Sequence, residues 1–248
     1  AGLRMAGVEW SPSGDRIALG GGEPYNWYKP SEAYVLNLES GDLQSVSESL
    51  DRTVAFGGQP QWLDDDTLVA LFGDEGNTRM VRLDAHSDDP ERVFVAQGLS
   101  RSVSGLSVAD DGSTLGFRMD DPEEGADIYA MDREGLDAEK GAEADEAGLT
   151  QVSEVNADLV DEPHDCVRVS WENSDGVTIH GIAYLPPSFD PEDPEPYPVV
   201  SSVHGGPMSY DSPAFGFDQL FWTSKDYIVL RTNYRGSTSY GKEFAERL

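Results

Sequence analysis

Three stretches of the chain share one order of residues, and that repetition constrains the fold more than any other feature. VEWSPSGDRIALG (8–20), PQWLDDDTLVALFG (60–73) and LSVADDGSTLGFRMD (106–120) each pass from a short apolar segment, through an Asp/Ser/Gly turn, into a second apolar segment. Aligned on the turn, Trp10, Trp62 and Val108 correspond, at offsets of 52 and 46 residues. Each unit continues into an alternating segment, EAYVLNLESG (32–41), TRMVRLDAH (78–86) or ADIYAMDREG (126–135). A further short strand follows in DLQSVSE, ERVFVAQG and GLTQVSE. Alternation with period two marks half-buried strands, and the turn residues mark the hairpins that join them. A unit of this kind has two faces to bury and cannot cover both alone. Stacked radially, each sheet covers the next, which is the construction of a β-propeller. A β-sandwich with fortuitous turn similarity is the plainer alternative. About three blades fit into residues 1–158, fewer than the usual four to eight, so the expectation is a partial propeller in an incomplete chain. Residues 132–148, DREGLDAEKGAEADEAG, interrupt the last unit and read as a loop.

From residue 159 the pattern changes. DCVRVSWENSDGVTIHGIAYLPP (165–187) reads as two long strands around a turn, and a Pro/acid loop leads to the apolar strand VVSSVH. Phe217, Leu220, Phe221 and Ser224 fall at helical spacing, DYIVLRTNY is a buried-type strand, and KEFAERL begins a helix. Strand, helix, strand, loop, helix after an antiparallel pair predicts the N-terminal portion of an α/β domain over 159–248.

Charge narrows the partners. Forty-seven acidic residues against 17 basic ones give a net charge of −30 and a pI near 4.1. Such a surface opposes nucleic-acid binding, which needs Lys and Arg against phosphate. The acids gather in turns (LDDD, HSDDPE, DDPEEGAD, DPEDPE) between apolar strands, so they form a solvated face and not a disordered tail. High salt shortens the Debye length to about 3 Å at 1 M and relieves their repulsion, which points to a halophilic protein. No apolar run approaches the ~18 residues of a membrane span, and AGLRMAGVEW lacks a signal-peptide pattern. The lone Cys166 allows no internal disulfide and reads as a buried structural residue, which fits a cytoplasmic location. His86, His164, His180 and His204 show no metal-ligand spacing with Cys or Asp, so neither a metal nor a cofactor is expected.

Two segments have the form of a site. In VVSSVHGGPMSYDSP (199–213) a strand delivers His204, Gly205, Gly206 and Pro207. Paired glycines allow a sharp turn with exposed N–H groups, the requirement for stabilising an oxyanion, and Gly205 and Gly206 are the candidate donors. Pro207 has no N–H and stiffens the loop. A plain Gly-Gly turn is the alternative. In NYRGSTSYG (233–241), Gly236 allows a tight path and Arg235 is able to reach a carboxylate, although such loops often only shape a pocket. Ser237 and Ser239 do not sit in the G-x-S-x-G elbow of a serine nucleophile, and none occurs in the chain.

The run from Val167 to Gly241 resembles the prolyl oligopeptidase family of serine peptidases, in its acylaminoacyl-peptidase and dipeptidyl-peptidase branch. The resemblance rests on SDGVTIHGIAYLPP, YPVVSSVHGGP and FDQLFWTSKDYIVLRTNYRGSTSYGKEF in that order, with the repeats matching the family's propeller ahead of its hydrolase domain. It implies an α/β-hydrolase that cleaves short peptides through a Ser–Asp–His triad, with Gly206 and its neighbour Gly205 forming half of the oxyanion hole and His204 shaping the loop. It also implies that all three triad residues follow Leu248, so none is assigned here and the chain alone is expected to be inactive. Glu123 and Glu124 invite comparison with the glutamates that hold a substrate amino group in dipeptidyl-peptidases, but a solvated turn is the simpler assignment. Two alternatives stay open: a propeller binding module with a non-catalytic hydrolase remnant, and an esterase of the same fold. A homo-oligomer is compatible with either.

Overall fold

The computed structural model describes residues 4–23, 29–94, 97–98, 100–138, 148–156, 165–192, 196–206 and 208–247. The expected boundary at residues 158 and 159, His164 and Pro207 lie outside the described residues.

The three repeats form three antiparallel sheets. The first contains β1 (Arg4–Trp10), β2 (Arg16–Gly22), β3 (Glu32–Asn37) and β4 (Leu43–Ser45), in that order across the sheet. The second contains β5 (Thr53–Val54), β6 (Gln61–Trp62), β7 (Thr67–Gly73), β8 (Thr78–Asp84) and β9 (Glu91–Arg92), with β5 and β6 both paired to β7. The third contains β10 (Ser102–Val108), β11 (Thr114–Asp121), β12 (Gly125–Asp132) and β13 (Leu149–Gln151). Trp10 pairs with Ile17, Trp62 with Leu68 and Val108 with Leu115, so the residues aligned in sequence occupy one register position in each sheet. These sheets have the architecture of a partial β-propeller.

Repetition extends to an irregularity. The register slips between Ala6 and Glu9 in β1 and between Ser104 and Ser107 in β10, with Gly7 and Gly105 at positive φ inside the bulges. In the second sheet the bulge grows to residues 55–60 and separates β5 from β6.

Period-two geometry explains the composition of β7, TLVALFG. Leu68, Ala70 and Phe72 pack toward the first sheet, against Ala18, Ala33 and Val35. Val69 and Leu71 pack toward the third, in the cluster that holds Val103, Leu115, Phe117 and Met131. A strand buried on both faces is continuously apolar and loses its alternation. Polar bonds also join the first two sheets: Trp62 Nε1 donates to the Glu9 carbonyl (3.1 Å) and the Ser13 N–H to Asp65 (2.8 Å). Part of the predicted loop 132–148 is ordered. Arg133–Asp137 forms a short 3₁₀ turn because Leu136 is buried in the core between the second and third sheets, while residues 139–147 lie outside the described residues.

The remaining strands, β14 (Asp165–Glu172), β15 (Thr178–Leu185), β16 (Val199–Ser202) and β17 (Ile228–Asn233), form a mixed sheet in the order β14-β15-β17-β16. β16 and β17 are parallel, joined by a crossover containing α1 (Phe217–Thr223), and α2 (Lys242–Ala245) follows the loop after β17. Ile182, Tyr184 and Val229 form the small core, with Cys166 and Val200 against it. The apolar stripe of α1 does not face that core. Phe217 and Phe221 are exposed, and the helix instead buries Gln219 and Thr223. Among the described residues no helix is long and apolar enough to cross a membrane.

Candidate functional site

Parallel pairing sends the C-terminal ends of β16 and β17 out on the same side, so the loops that follow them are neighbours. Ligands of open α/β sheets bind outside such strand ends. His204, from the first loop, is held by the second. Its ring stacks on Tyr234 with centroids 4.5 Å apart, and Tyr234 Oη donates to the His204 carbonyl at 2.9 Å. Nδ1 lies 3.1 Å from the Gly205 carbonyl and Nε2 lies 2.9 Å from Ser237 Oγ. A carbonyl only accepts, so Nδ1 carries the hydrogen and Nε2 accepts from the Ser237 hydroxyl.

Gly205 and Gly206 leave this clamp exposed to solvent, and neither N–H has a hydrogen-bond partner among the described residues. The two glycines differ in necessity. Gly206 has φ +141°, and a Cβ there would sit 2.7 Å from the Met208 nitrogen. A Cβ on Gly205 would meet nothing within 4 Å. The turn therefore requires glycine at 206 and only tolerates it at 205, while both N–H groups remain available as donors.

Neither serine of the second loop is accessible. Ser237 is fully buried in the His204 clamp. Ser239, 2% exposed at φ +79°, binds the β7–β8 turn: its carbonyl accepts from the Glu75 N–H (2.7 Å) and its Oγ from the Gly76 N–H (3.0 Å). Arg235 pairs with Asp175 in the β14–β15 turn, and the buried Gly236 donates its N–H to the Phe244 carbonyl (3.1 Å). Arg235 and Gly236 thus brace the loop and do not point to a ligand.

The same edge joins the propeller sheets to the mixed sheet. Arg168 donates to the Glu75 carbonyl (2.7 Å), Thr78 Oγ1 lies 2.6 Å from Tyr210 Oη, and Asp51 accepts from the Lys242 N–H at the start of α2 (2.9 Å). Behind the β7–β8 turn, the buried Asp74 is bonded by Arg52 and Arg92, with Arg79 3.8 Å away. Burial works to raise the Asp74 pKa, but the hydrogen bonds from Arg92 and Arg52 outweigh it and hold the carboxyl below the ordinary carboxylate range. Burial pushes the Tyr210 hydroxyl up to about 12 and the Cys166 thiol up to about 12, far from a reactive thiolate. Glu123 and Glu124 are both exposed in the β11–β12 turn.

A cavity of about 420 Å³ lies along the continuation of the glycine loop. Met208, Ser209 and Tyr210, which continue the Gly206 loop, form one wall. The other wall comes from the first two propeller sheets, through Gly20–Gly22 of β2 and the bulge residues that include Phe56. No motif marks these propeller residues. The available signal is the run of three glycines in a strand, which is unfavourable unless something approaches closely.

No protein-family model matches the chain. It is similar to dipeptidyl aminopeptidase BIII of Pseudoxanthomonas mexicana, 38% identical over 80 residues, or 31% of this chain and 12% of that protein. The probable dipeptidyl-peptidase 5 of Emericella nidulans is 24% identical over 223 residues, covering 87% of this chain and 28% of the relative. Among solved structures, the acylaminoacyl peptidase of Pyrococcus horikoshii superposes with a TM-score of 0.71 at 20% identity, covering 94% of this chain and 33% of that one. The chain spans about a third or less of the length of each of these proteins.

Proposed function

We propose that this chain, a member of the prolyl oligopeptidase family of serine peptidases, supplies a cavity wall and half of the oxyanion hole of an enzyme that hydrolyses short peptides. The observation that carries this is the pair of exposed N–H groups of Gly205 and Gly206, without a hydrogen-bond partner among the described residues, on the loop that continues through Met208 into the wall of a cavity shared with propeller strands. In this reading residues 1–158 are propeller, and 159–248 open an α/β-hydrolase domain whose nucleophilic Ser, Asp and His lie outside these residues. The Ser hydroxyl attacks the peptide carbonyl as the His removes its proton. Negative charge collects on the carbonyl oxygen, and the Gly206 N–H, aided by that of Gly205, stabilises it. Collapse of the intermediate, with the proton returned by the His, expels the amine. A donor of this kind is worth about 3–4 kcal/mol in the transition state. His204 takes no proton in this scheme, since Ser237 and the Gly205 carbonyl occupy its ring nitrogens; it sets the loop.

The acidic surface fits a protein working in concentrated salt inside the cell. The deciding experiment expresses the full reading frame and compares peptide anilides with a nitrophenyl ester. Peptide-anilide turnover that falls at least a hundredfold in Gly206→Ala supports the reading, and turnover of the ester alone overturns it. Residues 1–248 by themselves should resist labelling by a fluorophosphonate, and covalent labelling of that piece would contradict the assignment of the nucleophile.

A further inference from the structure

The loop that carries Gly205 and Gly206 is tied to β17 twice. It leaves β16 at Ser202, which pairs with Arg231 of β17. It comes back to the same strand at Asp211. There Asn233 Oδ1 accepts from the Asp211 N–H (2.7 Å), and Asn233 Nδ2 donates to the Asp211 carbonyl (2.9 Å). Arg231 Nη2 donates to the Asp211 carboxylate. Residues two apart in a strand lie on one face, so Arg231 and Asn233 reach Asp211 together. The N–H, the carbonyl and the side chain of one loop residue are thus all held by β17. Asp211 and Asn233 are both buried.

The chemistry at this point calls for an amide. A backbone N–H only donates and a carbonyl only accepts, so these partners fix which way the Asn233 amide faces. One planar group supplies the two bonds that a paired strand would make. Nδ2 also lies 3.3 Å from Tyr240 Oη. The propeller closes over the clamp at Gly76, where φ is +66° and a Cβ would meet Asn233 Nδ2 at 2.9 Å. An apolar side chain of the same shape would fill the space as well. What the amide adds is a fixed position for Asp211.

The other end of the segment is His204, held by Tyr234, the residue that follows Asn233. Neighbouring residues at the end of one strand therefore fix both ends of 204–211, and the exposed glycines lie between them. We propose that Asn233 is a positioning residue: by fixing Asp211 it sets where the Gly206 N–H stands when charge develops on the substrate oxygen. The inference rests on the peptidase reading above. A donor misplaced by about 1 Å costs up to about a hundredfold in rate, while contacts elsewhere on the substrate persist.

The test uses the full-length enzyme. Its best substrate from a panel of free and N-acetylated peptide anilides fixes a peptide, which is then made as an aldehyde and as an alcohol. The aldehyde carbon accepts the nucleophilic serine oxygen and places an oxyanion in the hole, whereas the alcohol makes only the remaining contacts. Asn233→Leu should lower the preference for aldehyde over alcohol roughly tenfold or more, and should lower kcat with KM kept within about twofold. Asn233→Ala leaves room for water to bond Asp211, which favours a folded variant, and should show the same split. Val229→Ala opens the small core without touching the clamp; it should lower the thermal midpoint and keep the preference within about twofold. A preference retained within about twofold in both Asn233 variants, or lost equally in Val229→Ala, overturns the role of Asn233 and leaves the peptidase reading standing. A wild type that cleaves no anilide, or binds aldehyde and alcohol equally, overturns both.

Discussion

His204 Nε2 and the buried hydroxyl of Ser237 are 2.9 Å apart, and that bond fastens the glycine turn after β16 to the loop after β17. A serine bonded to a histidine ordinarily suggests a nucleophile and its base. Here the serine has no access to solvent, so the pair holds the position of the turn. Ser237→Ala should therefore cost about 1 kcal/mol of stability, the net worth of one hydrogen bond, read as a lower urea midpoint. In the full-length enzyme it should lower kcat but not abolish it. Complete loss of activity with unchanged stability would contradict a positioning role.

The adjacent glycines should respond differently to alanine. Gly206→Ala forces a side chain into positive φ and against the Met208 nitrogen, a strain of about 1–3 kcal/mol that displaces the N–H donor. Gly205→Ala places its methyl in open space. Peptidase kcat/KM should fall a hundredfold or more for the first and less than tenfold for the second. Equal losses would show that the turn's geometry is not what matters.

Asp74 ties part of the acid stability to one buried carboxylate. Its folded pKa lies below the ordinary 3.8, so the stabilisation it gives is complete above that value and disappears as pH falls through the folded pKa. Asp74→Asn should remove about 3 kcal/mol at neutral pH, because it leaves Arg52 and Arg79 largely buried without a counter-charge, while the half-exposed Arg92 is compensated by solvent. The gap between variant and wild type should shrink below about pH 4. Thermal midpoints measured from pH 7 down to pH 2 give both quantities, and a gap that widens on acidification would refute the assignment.

With a net charge of −30, unfolding should also respond to salt. Raising KCl from 0.1 to 2 M should raise the thermal midpoint, because exposed repulsions are screened while the buried Asp74 cluster is screened far less. A falling midpoint would show that the ion pairs outweigh the repulsion.

The local chemistry of the propeller sheets is plain in the residues. The Asp/Gly turns and the alternation beside them are short-range signals, and they place Trp10, Trp62 and Val108 at one register. The helix at Phe217–Thr223 was legible as a helix, but its orientation was not: spacing marks a stripe and does not say which side meets the sheet. Long-range bonds carry no sequence signature, so Ser239 against Glu75 and Gly76, and Asp51 against Lys242, emerge only from the fold. His204, Gly205 and Gly206 were legible as a turn because glycine beside glycine after a strand has few structural uses.

The contacts of Ser239 with the β7–β8 turn also bear on how the two halves are able to move. The loop that fastens His204 from below is the loop that grips the propeller through Glu75 and Gly76, with Asp51 and Lys242 joined beside it. Separating the halves at this edge would break these bonds together and disturb the Gly206 turn in the same motion.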